Sequence, residues 1–455
     1  MKRLSLLAIA LVMVLGMAVS ASAAPEVSIS GNLLVNAVWM DNWNFDKDAG
    51  SKNMRILERA DLYFTVTANE NLKGVLGLRS DKGNWGQGGF ALGQSGGGSS
   101  MGNAVLNIRD AYIDFNWPGT DVNVKGGIFT VALPQSVGSA SMVLAERAGA
   151  VMVTAPVTDN VSVLAGYTRL FDNDPNGSGN DDPTKGTVTS GGVYDNNYLD
   201  GYLVALPLSF EGVSATPFFL YGNGGLNYVS QDTVTSGLKG QDVSAYWVGS
   251  NFTMSLFDPF IVKADVNYGK LDAETDTNDA SGWLFDLGLD YTGFDFMTVS
   301  AFFVYTTGSD DDNSDGVETM PILDGDWAVG SFWFGGGSIT SDDINGGDTP
   351  LGFWTLGLSL TDIQSFAEGL THDFHVLYVK GTNDKRATLG TYGKYLTEKD
   401  SLWEVDFNTA YAVYDELTLY GQLGYINSDF DQDVWTAQNV EDDAWKIATG
   451  VVYKF

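Results

Sequence analysis

Trp445-Lys446-Ile447-Ala448-Thr449-Gly450-Val451-Val452-Tyr453-Lys454-Phe455 is the last stretch of the sequence, and it alternates strictly. Trp445, Ile447, Thr449, Val451, Tyr453 and Phe455 fall on one side. Lys446, Ala448, Gly450, Val452 and Lys454 fall on the other. A period of two belongs to a β-strand, whose successive side chains point to opposite faces. Here one face is apolar and aromatic, and the other is small or cationic. In a soluble protein that apolar face needs more chain to cover it, and none follows. In a bilayer, lipid covers it. The ending therefore predicts a strand of an outer-membrane barrel.

The same alternation runs back through the chain. Arg55 to Ala68 places Ile56, Ala60, Leu62, Phe64 and Val66 on one face and Arg55, Arg59, Asp61, Tyr63 and Thr65 on the other. The tight turn Asn69-Glu70-Asn71 leads into Leu72 to Arg79. Similar pairs recur, joined by Pro118-Gly119-Thr120, Thr158-Asp159-Asn160, Glu211-Gly212, Asp258-Pro259, Thr292-Gly293 and Asp415-Glu416, which are turn residues. The other connections are long and rich in Gly, Asp, Asn, Ser and Thr, for example 81–103, 172–197 and 308–348. Short turns at one end and long loops at the other predict an all-β, transmembrane antiparallel β-barrel, with the turns periplasmic and the loops extracellular. The expected count is 18 strands. Both chain ends fall on the short-turn side, so the number is even, and sixteen stays open if one hairpin is misread. A secreted soluble β-protein would also alternate, but its connections would not sort into two length classes.

Lys2 and Arg3, the apolar run Leu4 to Val19 and the small residues Ala21-Ser22-Ala23 form a secretory signal. The expected organisation is a signal peptide over 1–23 and one barrel over 24–455. After the signal, no run of about 18 apolar residues remains, so no helical span is expected. With no cysteine, disulfides and thiolate metal sites are excluded. The net charge of −33 argues against a nucleic-acid partner.

Arg59-Ala60-Asp61-Leu62-Tyr63-Phe64, followed by Ala68-Asn69-Glu70-Asn71-Leu72-Lys73-Gly74-Val75-Leu76-Gly77, resembles the second hairpin of Gram-negative porins. Arg109-Asp110-Ala111-Tyr112-Ile113-Asp114-Phe115 resembles the next porin strand, and Gly126-Gly127-Ile128 to Ala132-Leu133-Pro134 continues the likeness. Together they most resemble the outer-membrane homotrimeric porins of sulfate-reducing bacteria, over Ala24 to about Leu170 and in the last strand. The resemblance implies a homotrimer of barrels, each with its own pore. It also implies a third outside loop, Pro134 to Arg147, folded into the pore as a constriction, with Glu146 and Arg147 as its charged candidates. That loop lacks the acidic cluster familiar in better-known porins. Gly450, Tyr453 and Phe455 match the C-terminal signal read by the outer-membrane assembly machinery.

On the face assigned to the lumen, Arg55, Arg59, Lys73, Arg79 and Lys125 gather on neighbouring strands of a chain poor in cations. A cationic wall filters solutes by charge. Asp172, Asp174, Asn176 and Gly177 fit the start of a calcium loop, as do Asp311, Asn313, Asp315 and Gly316. Pro183 and Ile322 stand where the closing Glu belongs, and no helices flank either loop, so hydrated acidic loops are expected. Trp39, Trp117, Trp247, Trp283, Trp403 and Trp445 sit near strand ends, where interface girdles use them. The only histidines, His372 and His375, are three apart on a strand and face opposite ways, so no catalytic pair is formed. No enzyme activity and no cofactor are expected. The expected function is an outer-membrane channel, in a Gram-negative bacterium, for passive diffusion of small hydrophilic solutes and ions. A substrate-specific channel for sugars or small organic anions is the alternative.

Overall fold

The computed structural model describes residues 25–45, 53–80, 83–85, 106–172, 198–224, 242–312, 314–334, 351–387, 395–435 and 443–455. The alternation along the sequence becomes one antiparallel sheet closed on itself, with 18 strands. The first nine are β1 (Glu26–Asp41), β2 (Asn53–Asn69), β3 (Leu72–Ser80), β4 (Leu106–Asn116), β5 (Asn123–Ala132), β6 (Ala145–Thr158), β7 (Val161–Asp172), β8 (Tyr198–Ala205, continued by Leu208–Phe210) and β9 (Val213–Gly224). The rest are β10 (Val243–Phe257), β11 (Phe260–Ala273), β12 (Ala280–Phe294), β13 (Met297–Thr306), β14 (Phe353–Gln364), β15 (Leu370–Gly381), β16 (Ser401–Tyr414), β17 (Leu417–Asp429) and β18 (Asp443–Lys454). A further short segment, Gly83–Asn84, prolongs the line of β3 beside β2. β8 is interrupted at Pro207, which has no N–H to give the ladder. Neighbours in sequence are neighbours in space, and β1 closes the ring by pairing with β18 from Asn32↔Lys454 to Asp41↔Trp445.

The faces of β18 fall as its sequence requires. Trp445, Ile447, Tyr453 and Phe455 are exposed on the outside, while Lys446 and Ala448 are buried inside. Phe455 exchanges two backbone hydrogen bonds with Gly31 of β1, at 2.9 and 3.1 Å. Its ring lies over that glycine, where a Cβ would come within 3.0 Å of it.

An aromatic row marks the outer face near the long-loop end. Tyr167, Tyr202, Tyr221 and Tyr246 are successive cross-strand partners on β7 to β10. Tyr268–Trp283, Tyr378–Trp403 and Tyr425–Trp445 follow, with ring centroids 4.8, 4.9 and 4.3 Å apart. Such rings suit the bilayer interface. Trp247 is not part of the row. Its neighbour Tyr246 takes the outward position, so Trp247 points inward, is buried and donates Nε1–H to the Pro321 carbonyl at 2.7 Å. On β3 to β6 the outer face instead carries Leu78, Ile108, Ile128, Gly126, Gly149 and Val151.

The interior is filled unevenly. Leu203, Leu220, Leu284, Val304, Leu377 and Val379 come from the inner faces of β8, β9, β12, β13 and β15. They form one apolar core with residues of two loops that fold inward. One is the β5–β6 loop, contributing Val137 and Met142 to Leu144. The other is the β13–β14 loop, contributing Met320, Trp327 and Phe332 to Phe334. The sequence reading took 308–348 for a polar outside loop. Its described part is instead apolar enough to enter the barrel.

Candidate functional site

The wall formed by β2 to β5 carries the predicted cations. Asp61, only 3% exposed, is the hub. Arg79 grips it with two bonds, Nε to Oδ1 at 2.5 Å and Nη2 to Oδ2 at 2.8 Å. Arg59 Nε lies 3.6 Å from Oδ2 and Arg109 Nη1 lies 3.5 Å from Oδ1. Three guanidinium groups thus share one carboxylate, and the patch stays net positive. The Nε of Arg59 and the Nε and Nη1 of Arg109 have no protein hydrogen-bond acceptor. Arg55 shares the interior face of β2 with Arg59. Lys73 pairs with Asp114 at 3.3 Å. Lys125 holds its Nζ 4.2 Å from the ring centroids of both Tyr112 and Phe129.

Arg109 joins this wall because β4 carries a bulge. Gly77 pairs with Asp110 and Leu78 with Ile108, so Arg109 is the extra residue. A bulge breaks the alternation and sends two consecutive side chains to one side. Arg109 and Asp110 therefore both enter the cluster, 3.9 Å apart. Gly77 makes room for them, since a Cβ there would sit 2.8 Å from the Tyr63 ring and 2.9 Å from Asp110.

Glu146 and Arg147 are the second and third residues of β6, paired with Val131 and Thr130, and not part of a loop as expected. Arg147 Nε stands 3.5 Å from Asp110 and Nη1 stands 3.9 Å from Glu146. The β5–β6 loop before them runs inward across the lumen, as the resemblance implied. Its anchor is a pair of carboxylates facing each other on β11 and β12, Asp265 and Asp286. Asp265 accepts the backbone N–H of Ser136 and of Val137, each at 2.8 Å. Gln135 Nε2 reaches Asp265 at 3.0 Å and Asp286 at 2.7 Å.

The β13–β14 loop locks onto the β5–β6 loop. Leu323 donates its N–H to the Val143 carbonyl at 2.9 Å, and Ser139 to that of Ala328 at 3.0 Å. Trp327 donates Nε1–H to the Val137 carbonyl at 3.0 Å. Gly138, between these contacts, has φ of 90° and no room for a Cβ, which would fall 2.3 Å from Trp327 Nε1. Gly138→Val therefore combines a backbone cost of about 1–3 kcal/mol with a clash, and parts the two loops. A rise in single-channel conductance over the parent chain is the expected reading.

Burial, reinforced by the Glu146 carboxylate, raises the pKa of Asp326. A raised pKa keeps the proton to higher pH, so on acidification this group loses its charge before an ordinary carboxylate does. The loop side of the lumen then becomes less negative. The anion-to-cation permeability ratio should rise as pH falls from neutral, and Asp326→Asn should flatten that rise.

The remaining candidates carry less. His375 bonds Ser359 at 2.8 Å on the inner face, while His372 stacks on Phe407 outside, on opposite faces as their spacing predicts. Asp311 is paired with Arg386 at 2.6 Å. Asp172 ends β7, while Asp174 and Asn176 lie outside the described residues, as do Asn313 and the signal segment. Among the described residues, no group of three or more acidic or histidine side chains is arranged to hold a metal ion.

Sequence comparison finds neither a matching family model nor a curated relative. Comparison of structures finds OccAB4 of Acinetobacter baumannii, with a TM-score of 0.54 and 11% identity over 94% of this chain and 98% of that one. OpdL of Pseudomonas aeruginosa gives 0.54 and 11% over 94% and 99%. OpdQ of the same organism gives 0.51 and 12% over 94% and 98%. The fold is that of an outer-membrane porin. Within this barrel, cations line one wall and two joined loops pack inside the other. Alternation in the sequence puts Arg59, Lys73, Arg79 and Lys125 on the interior face where they lie. It missed Arg109, which strict alternation turns outward. It also missed the second loop, although the cluster Phe332-Trp333-Phe334 in a supposed polar loop was a visible signal.

Proposed function

We propose that this chain is a passive channel for small hydrophilic solutes and ions, with a preference for anions. The observation that carries this is the sharing of one carboxylate, Asp61, by Arg59, Arg79 and Arg109 on the interior face, which leaves that patch net positive in a lumen entered by two loops. Fixed donors in a confined passage favour solutes of the opposite charge. The test is the reversal potential of the purified protein in a planar bilayer under a salt gradient. A cation-selective reversal refutes the preference.

A substrate-specific channel for small organic anions or sugars is favoured by the rigid, bidentate Arg79–Asp61 pair and by the depth of the loop plug. Saturable block of the conductance by one member of a solute panel supports that reading over general diffusion.

The active form is a homotrimer. The break in the aromatic row over β3 to β6 supports this: a face of Ile, Val, Leu and Gly suits a neighbouring subunit, while rings suit lipid headgroups. Conductance should then appear in steps of three. The chain is exported by cleavage after Ala23, and Gly450, Tyr453 and Phe455 address it to the assembly machinery. Phe455→Ala should lower the yield of assembled barrel several-fold, read as loss of the heat-modifiable band on a gel. An unchanged band refutes the signal role.

A further inference from the structure

Buried carboxylates on one barrel wall hold the backbone of the β13–β14 loop. Glu404 and Asp406 are two apart on β16, so both point inward, and both are fully buried. Three consecutive loop N–H groups converge on them. Ser331 donates to Asp406 Oδ2 at 2.8 Å and to Glu404 Oε1 at 3.2 Å. Phe332 donates to Glu404 Oε1 and Trp333 to Oε2, each at 3.0 Å. Lys446 of β18, 1% exposed, donates Nζ–H to the Ser331 carbonyl at 2.7 Å. Clearance comes from glycine on both sides. A Cβ on Gly330 would strike Glu404 Oε1 at 2.4 Å, and one on Gly424 would touch Phe332 at 3.0 Å.

Burying two carboxylates beside one lysine is costly, and packing alone does not require it. Apolar side chains at 404 and 406 would fill the space but could not hold a loop by its main chain. Three of the four carboxylate oxygens take loop N–H groups, so much of that cost is offset while the loop is docked. The arrangement therefore couples the position of the loop to wall residues far from the cationic side.

We infer that Glu404, Asp406 and Lys446 are positioning residues that latch the β13–β14 loop inside the lumen and so set the aperture. When the latch is undone, the loop leaves and a wider state of the same barrel conducts. The inference rests on the channel reading above, and it concerns the size of the current, not its ion preference.

The test compares single-channel conductance and reversal potential of the full-length protein with those of E404Q/D406N and S331P in planar bilayers. S331P deletes one N–H donor of the latch and touches no strand, so it decides the matter if E404Q/D406N fails to assemble. A chain with residues 318–334 replaced by a short Gly-Ser linker gives the fully open level. The expected result is a conductance about two-fold or more above the parent, approaching that level, with an unchanged reversal potential. Parental conductance in assembled S331P and E404Q/D406N overturns the latch. An increase that abolishes the ion preference also overturns it, because the wall itself has then changed. A parent chain that never conducts refutes the channel reading instead.

Discussion

Replacing Arg59, Arg79 and Arg109 together by alanine moves the reversal potential of the channel toward cations. The change removes three positive charges from one patch and leaves Asp61, Asp110 and Glu146 behind. A unit charge 4 Å away is worth about 1 kcal/mol in bulk water and about 4 kcal/mol near a protein surface. Each lost arginine therefore alters the energy of a passing ion by about 1–4 kcal/mol, and about 1.4 kcal/mol is a tenfold change. Arg59→Ala alone has a smaller effect, because Arg79 still grips Asp61 with two bonds. Screening provides a second check. The Debye length falls to about 3 Å at 1 M salt, so the shift should shrink there. Equal reversal potentials for parent and triple variant at low salt would remove the cationic wall from the account of selectivity.

Trp327→Ala loosens the lumen plug without opening the barrel. Trp327 is 5% exposed, meets Phe334 edge-on at 5.2 Å and lies 6.1 Å from Phe353. It also supplies the indole bond to Val137 that joins the two inward loops. Losing a buried Trp side chain costs about 3–5 kcal/mol, here concentrated on the junction between the two inward loops. The strand ladder makes no use of this side chain. Limited proteolysis should therefore cut W327A within 307–334 while the parent resists, with both keeping the heat-modifiable mobility of a closed barrel. Identical digestion patterns would show that the aromatic block does not hold the plug.

The strands were legible because a membrane barrel makes each residue answer to one of two faces. Lipid outside and water or packed loops inside write an alternation that turns punctuate, and the lumen positions of Arg59, Arg79 and Lys125 follow from parity. Arg109 was not legible, since a bulge is fixed by pairing with β3 and leaves no mark in the residues of β4 themselves. The inner face of Glu404 and Asp406 could be assigned, but not their role. Parity gives a side and not a partner, and the partners are main-chain N–H groups that belong to no residue type. The β13–β14 loop was read by its length and its Gly and Asp content, which hid the apolar run inside it.

The seam between Phe455 and Gly31 also bears on the order of events during assembly. Asn42 donates to the carbonyl of Asp443, 401 residues away, beside the same seam. Every other ladder joins neighbouring hairpins and can form as soon as its two strands exist. The seam alone waits for both termini. Until then the growing sheet has two raw edges, each a row of unpaired N–H and C=O groups open to pairing with any other chain. The hazard for this barrel therefore lies in its last moment of synthesis and not in its finished form. An open sheet lacking β18 should be trapped as aggregate, while the closed ring, with no edge left, should survive heating that unfolds ordinary domains.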